Sequence, residues 1–137
     1  MTTTAHAGSP ATIAARRRTA VRVGRGISWF FAAFLTFDAV IHILNIAPVV
    51  DGSRRLGFDV DVMPWIGVLE LALVVLYVVP RTAVLGAVLL TGYLGGAFCA
   101  QLRIDAPLFS TLLFPVYVGV ALWVGLWLRD ERVRNLV

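Results

Sequence analysis

The chain has 137 residues, 59% of them hydrophobic, with 12 basic and 8 acidic side chains and a mean hydropathy of +0.85. Soluble domains are about 45–50% apolar, so this composition excludes an ordinary water-soluble globule. All the basic residues are arginines bordering apolar segments, which makes the pI of 10.2 a topology signal and leaves no soluble basic face for nucleic acid.

Residues 1–25 are rich in Ala and Thr and carry Arg16, Arg17, Arg18, Arg22 and Arg25. Nothing in them can build a core, and they read as a disordered basic arm, helical at most near the membrane. A membrane domain over 26–129 follows, with four apolar spans at about 27–49, 64–79, 82–102 and 107–128. Each approaches the ~20 residues that cross a ~30 Å hydrocarbon layer. The first is too long for a cleaved signal peptide and carries Asp38 and His42, so it reads as a signal anchor. Residues 130–137 form a short tail.

The linkers set the topology. Pro80-Arg81 alone separates the second and third spans, and RIDA separates the third from the fourth, so both pairs are antiparallel neighbours. The loop DGSRRLGFDVDVM is amphipathic enough to lie on the membrane surface or to cap the bundle's outer mouth. The arm's five arginines fall on one side with Arg81, Arg129, Arg132 and Arg134; Arg54, Arg55 and Arg103 fall on the other. The positive-inside rule then puts both termini in the cytoplasm. The expected fold is an all-α, four-helix membrane bundle. Trp29, Trp65, Trp123 and Trp127 stand near span ends, as an aromatic belt requires.

The third span carries Ala83, Ala87, Thr91, Gly95 and Cys99 at four-residue spacing, with Gly92 and Gly96 beside them. Such a stripe admits close helix approach, either by another span, which the short loops favour, or by a second copy. Pro115 should kink the fourth span and free a carbonyl near Thr111.

Polar groups interrupt the apolar runs. In FDAVIHILN, Asp38, His42 and Asn45 share one helix face. Counting the 1.5 Å rise, Asp38 lies about 16 Å and His42 about 22 Å into the membrane, with Glu70 level with His42. Tyr93 and Tyr117 come near the Asp38 level. A charged carboxylate there costs roughly 2.5–3.5 kcal/mol by insertion scales, so it must face the bundle and find a partner or hold a proton. The functional reading is a proton relay or a polar, quinone-binding site; the alternative is a satisfied network that fixes helix register. Asn45 and Gln101, nearer the boundary, read as interfacial.

Cofactor classes can be pruned. One buried histidine cannot supply bis-histidine haem or a two-histidine iron site, because His6 sits in the arm. The single Cys99 offers no disulfide or zinc cluster and reads as a small buried residue. Asp38, His42 and Glu70 are the one set able to hold a metal, but no metal is expected. A quinone is the cofactor class left open, and no cofactor is expected to be held by this chain alone.

The stretches GVLELALVVLYVVPRTAVLGAVLLTGYLGGA (67–97) and FPVYVGVALWVGLWLRDERVR (114–134) resemble the DoxX-like family of small four-helix bacterial membrane proteins, over about residues 30–135. The resemblance implies motif positions at Glu70, Pro80, Arg81, Gly92, Tyr93, Gly95 and Gly96. Named members look like membrane subunits of thiosulfate:quinone oxidoreductase, or anchors for soluble redox enzymes in oxidative-stress systems. Close relatives often carry a histidine shortly after GYLGGA, where this chain reads FCAQLR. The resulting expectation is a bacterial inner-membrane subunit of a larger redox complex, not catalytic alone, with a quinone- or proton-handling pocket. The alternatives are a free-standing homo-oligomer handling protons or a small molecule, and a purely structural accessory subunit. Expected partners are lipid and other membrane or redox subunits or itself, not nucleic acid.

Overall fold

The structure is a computed structural model that describes residues 9–135. His6 and the rest of residues 1–8, and the last two residues of the tail, lie outside the described residues. Six α-helices follow in order: α1 (Pro10–Ile43), α2 (Ala47–Leu56), α3 (Met63–Val78), α4 (Ala83–Leu102), α5 (Phe114–Arg129) and α6 (Glu131–Arg134). A 3-10 turn at Val60–Val62 leads into α3, and a π-helical turn at Leu108–Leu112 precedes α5.

The basic arm departs from expectation: from Pro10 onward it is the beginning of α1. Ser9 caps this helix through its side chain, Pro10 takes the first turn, and the Ala and Arg residues that follow are strong helix formers. Composition alone argued for disorder because it ignored this start signal. With 34 residues, α1 is about 51 Å long, well beyond the ~30 Å hydrocarbon layer. Its basic end meets α6 through an Arg17–Glu131 ion pair, so the two ends of the described chain lie together at one end of the bundle.

The first span also ends earlier than 49. Asn45 adopts a left-handed conformation (φ 50°), which stops α1, and its Nδ2 donates to the Val60 carbonyl at 3.3 Å. Residues 47–49 start α2 instead, with Pro48 in the first turn. That helix ends at Gly57 (φ 73°), where the Phe58 N–H reaches back to the Ser53 carbonyl at 2.9 Å. Arg103 donates to the Leu56 carbonyl at 2.5 Å and ties α2 to the end of α4.

Among the described residues, four helical segments are long and apolar enough to cross a membrane: Pro10–Ile43, Val60–Val78, Ala83–Leu102 and Leu108–Arg129. They pack in a ring: α1 touches α3 and α5, and α4 touches α3 and α5. Large apolar side chains such as Phe30, Phe37, Trp65 and Phe109 point outward, as a lipid-facing surface demands. The protein is therefore a small, all-helical integral membrane protein.

One half of the bundle is sealed. Fully buried Tyr77 donates its hydroxyl to the Leu122 carbonyl at 2.8 Å, and Ser28 Oγ lies 2.9 Å from the Tyr77 hydroxyl oxygen. Because the phenol's proton is committed to the carbonyl, Ser28 is the donor in the second bond. Arg129 donates to the Tyr77 carbonyl at 2.7 Å and stacks over its ring at 4.7 Å. This network joins α1, α3 and α5 around one phenol.

Close helix approach occurs at glycines outside the expected stripe. A Cβ on Gly86 would run into the backbone of Tyr77, one on Gly125 would sit 2.8 Å from Ser28 Oγ, and one on Gly24 would sit 2.8 Å from the Arg129 nitrogen. The expected stripe splits instead. Ala83 and Ala87 are buried, whereas Thr91, Gly92, Gly95, Gly96 and Cys99 are exposed, with nothing near a Cβ at the three glycines. The reason is helical drift: each four-residue step turns about 40° beyond a full circle, so five such positions wander across roughly 160° of surface.

Candidate functional site

The other half of the bundle holds a cavity of about 580 Å³, lined by all four spans and by Leu56 and Phe58 from the α2 turn. Two local features make room for it. Gly92 and Gly96 present bare backbone along α4, so the small residues expected to pack helices form a cavity wall instead. On the fourth span, the π-helical turn and Leu113 interrupt the helix, and Pro115 falls in the first turn of α5. The expected kink is thus a full change of helix type, and Ser110, Thr111, Phe114 and Pro115 line the cavity around it.

The polar groups gather at one wall. Glu70 is fully buried on α3, and Tyr93 on α4 donates its hydroxyl to Glu70 Oε2 at 3.0 Å. The other oxygen, Oε1, is buried with no hydrogen-bond partner among the described residues. On α1, His42 Nδ1 lies 2.8 Å from the Asp38 carbonyl oxygen and 3.4 Å from Asp38 Oδ2. A carbonyl only accepts, so Nδ1 carries a ring proton, which leaves Nε2 as the ring nitrogen available to a ligand. Asp38, His42 and Glu70 each offer a ligand atom within 4.8 Å of the others.

Gly67 brings α1 and α3 to this distance. A Cβ there would lie 2.5 Å from the Ala39 carbonyl oxygen and 2.9 Å from His42 Cβ, so only glycine lets α3 approach at this level. Sequence reasoning missed Gly67, although its place one turn before Glu70 marks it as a contact residue on the same face. It missed Tyr77 as well, whose signal was a phenol within a continuous apolar run.

Of the five polar residues expected to converge, Asp38, His42, Glu70 and Tyr93 do so in one cluster. The depth count had set Asp38 a turn below Glu70, but side-chain reach closes that gap. Tyr117 is separate. It is half-exposed on the outer surface, because the inward stripe of α5 runs through Pro115, Val118 and Leu122, and position 117 lies about 100° from its neighbour at 118. Asn45 serves as a helix stop, and Gln101 lines the cavity.

A family model described as the DoxX-like family matches residues 27–125. The chain belongs to the DoxX-like family. The match reaches into all four spanning helices, includes every member of the polar cluster, and stops short of the Glu131 contact with the α1 extension. Searches of curated proteins and of solved structures return no match.

Proposed function

We propose that this DoxX-like protein is a membrane subunit that holds a quinone-type molecule within the bilayer and works with a redox partner. The observation that carries the reading is the unpartnered Oε1 of fully buried Glu70 beside a largely apolar cavity lined by all four spans. Binding sites for amphipathic small molecules have this make-up: apolar walls with a few convergent polar groups that orient one end of the ligand. A quinone–quinol couple fits because it partitions into lipid, carries its polar atoms on one ring, and in the quinol form supplies the O–H donor that the free Glu70 oxygen can accept. Its tail would lie along Phe34, Leu35, Ile66 and Leu69, and its head group at the Glu70–His42 wall. Ionisable groups at this depth are expensive unless they serve a purpose, which favours a working site over a fixture.

The redox partner is supported by what named members of the family resemble and by the chain's own inventory, since a single cysteine gives no dithiol to carry electrons. The chain would sit in a bacterial cytoplasmic membrane with both termini inside, in accord with its arginine bias.

Two experiments test this. Purification of the tagged protein from its native membrane, with mass spectrometry of what accompanies it, should recover a redox enzyme in constant ratio. Recovery of this chain alone would sink the subunit reading. Glu70→Gln and His42→Ala should each lower quinone-dependent activity of the recovered complex by about tenfold or more while assembly persists. Unchanged activity in an intact complex would reduce the cluster to a structural fixture.

A further inference from the structure

The polar wall of the cavity gathers two carboxyl groups and one imidazole. Glu70 Oε1 has no partner, Asp38 contributes a second carboxylate, and His42 keeps its Nε2 open because Nδ1–H faces the Asp38 carbonyl. The proton of Tyr93 is already committed to Glu70 Oε2. A neutral organic head group could satisfy the orphan oxygen, but it would leave two carboxylates facing one another in an apolar medium. A divalent cation meets both needs at once, because it binds oxygen and nitrogen acceptors and cancels the charge of two carboxylates.

We propose that Asp38, His42 and Glu70 form a binding site for a divalent first-row transition-metal ion at the polar end of the cavity. Two carboxylates and one imidazole suit manganese, iron or zinc, and the cavity side leaves coordination positions for water or an organic ligand. His42 meets one requirement of such a ligand, a ring N–H held from outside the metal. A metal-bound histidine usually donates its other ring N–H to a carbonyl or carboxylate, and His42 Nδ1 has both within reach. Tyr93, which fixes Glu70 through Oε2, takes the corresponding outer role for the carboxylate. Ligand atoms of a tetrahedral site stand roughly 3.4 Å apart, so the present limit of 4.8 Å asks for an inward turn of partly exposed Asp38 and His42, with Glu70 held still. This inference reverses the sequence-based expectation of no metal. It stands without the quinone reading.

The test uses the full chain in lipid nanodiscs, stripped by chelator and then titrated with Mn²⁺, Zn²⁺ or Co²⁺ alone. Calorimetry should give one ion per chain, and Co²⁺ should develop the visible absorption bands of nitrogen- and oxygen-ligated metal. Glu70→Gln and His42→Ala should each weaken binding on the order of 100-fold, with helicity by circular dichroism unchanged. Asp51→Asn, an exposed acid on α2, should leave it intact. No uptake by the wild type, the result expected if protons neutralise the cluster, would overturn the proposal. So would uptake that Glu70→Gln leaves unchanged, which would mean surface acids hold the ion. Quinone binding by a chain that takes up no metal would end this inference and leave the proposed function standing; the reverse result would do the opposite.

Discussion

At the residue scale the decisive groups are Gly67 and Tyr77, which hold the two halves of the bundle at different spacings. Gly67 lets α3 reach the backbone of α1 beside His42, and Tyr77 gathers Ser28, Leu122 and Arg129 around one phenol. Adding a methyl at Gly67 forces α1 and α3 apart. Gly67→Ala should therefore destabilise the protein by about 1–3 kcal/mol and also lower ligand affinity, both measurable by melting and titration in detergent. Gly92→Ala meets nothing and should leave stability unchanged or raise it by up to about 1 kcal/mol, by helix propensity alone. Tyr77→Phe leaves the Ser28 hydroxyl and the Leu122 carbonyl without their partner, at a cost of about 1–3 kcal/mol, yet should leave cavity binding intact because Tyr77 lies in the sealed half. A drop in cavity affinity without loss of stability in Tyr77→Phe would contradict this division. Much of the polar cluster was legible at this scale. Asp38, His42 and Glu70 stood out because a charge within an apolar run must be explained. Gly67 did not stand out, because close approach depends on which helix faces it, and a sequence does not say.

At the element scale, the same small residues do different work according to their angle. Four-residue spacing on α4 suggested a packed face, but only its first half packs, Gly92 and Gly96 line the cavity, and Gly86 makes the close contact with α3. Periodicity was readable; its phase against the neighbouring helices was not. The N-terminal arm failed for another reason: its composition suggested disorder, while Ser9 and Pro10 supplied a helix start that only local reasoning would catch. The loop between the first two spans forms α2, and Leu56 and Phe58 at its end line the cavity. Arg103 fastens it there through the Leu56 carbonyl. Arg103→Ala should loosen α2, raising amide hydrogen exchange across Ala47–Leu56 while α3 and α4 remain protected. Equal protection in both proteins would mean that the arginine contact does not hold the cap.

At the scale of the whole molecule, a ring of four helices is sealed around Tyr77 and open around Glu70. The number of spans and their antiparallel order followed from hydropathy and two short linkers, because lipid leaves a spanning chain few other forms. The cavity did not follow from these, since it depends on how the π-helical turn, Leu113 and the bare face of α4 combine in space. With both described ends at one end of the bundle and the arginine excess there, a C-terminal fluorescent-protein fusion should light up and a C-terminal alkaline-phosphatase fusion stay inactive. An active phosphatase would invert the topology. The central claim is that the open half binds a quinone-type ligand, and tryptophan-quenching titration of the full chain in nanodiscs with a short-chain quinone tests it most directly. Saturable quenching by the wild type, weakened about tenfold or more in Gly96→Leu with an unchanged melting temperature, is the result expected of a cavity filled by one side chain. Identical titrations for the two proteins would contradict it.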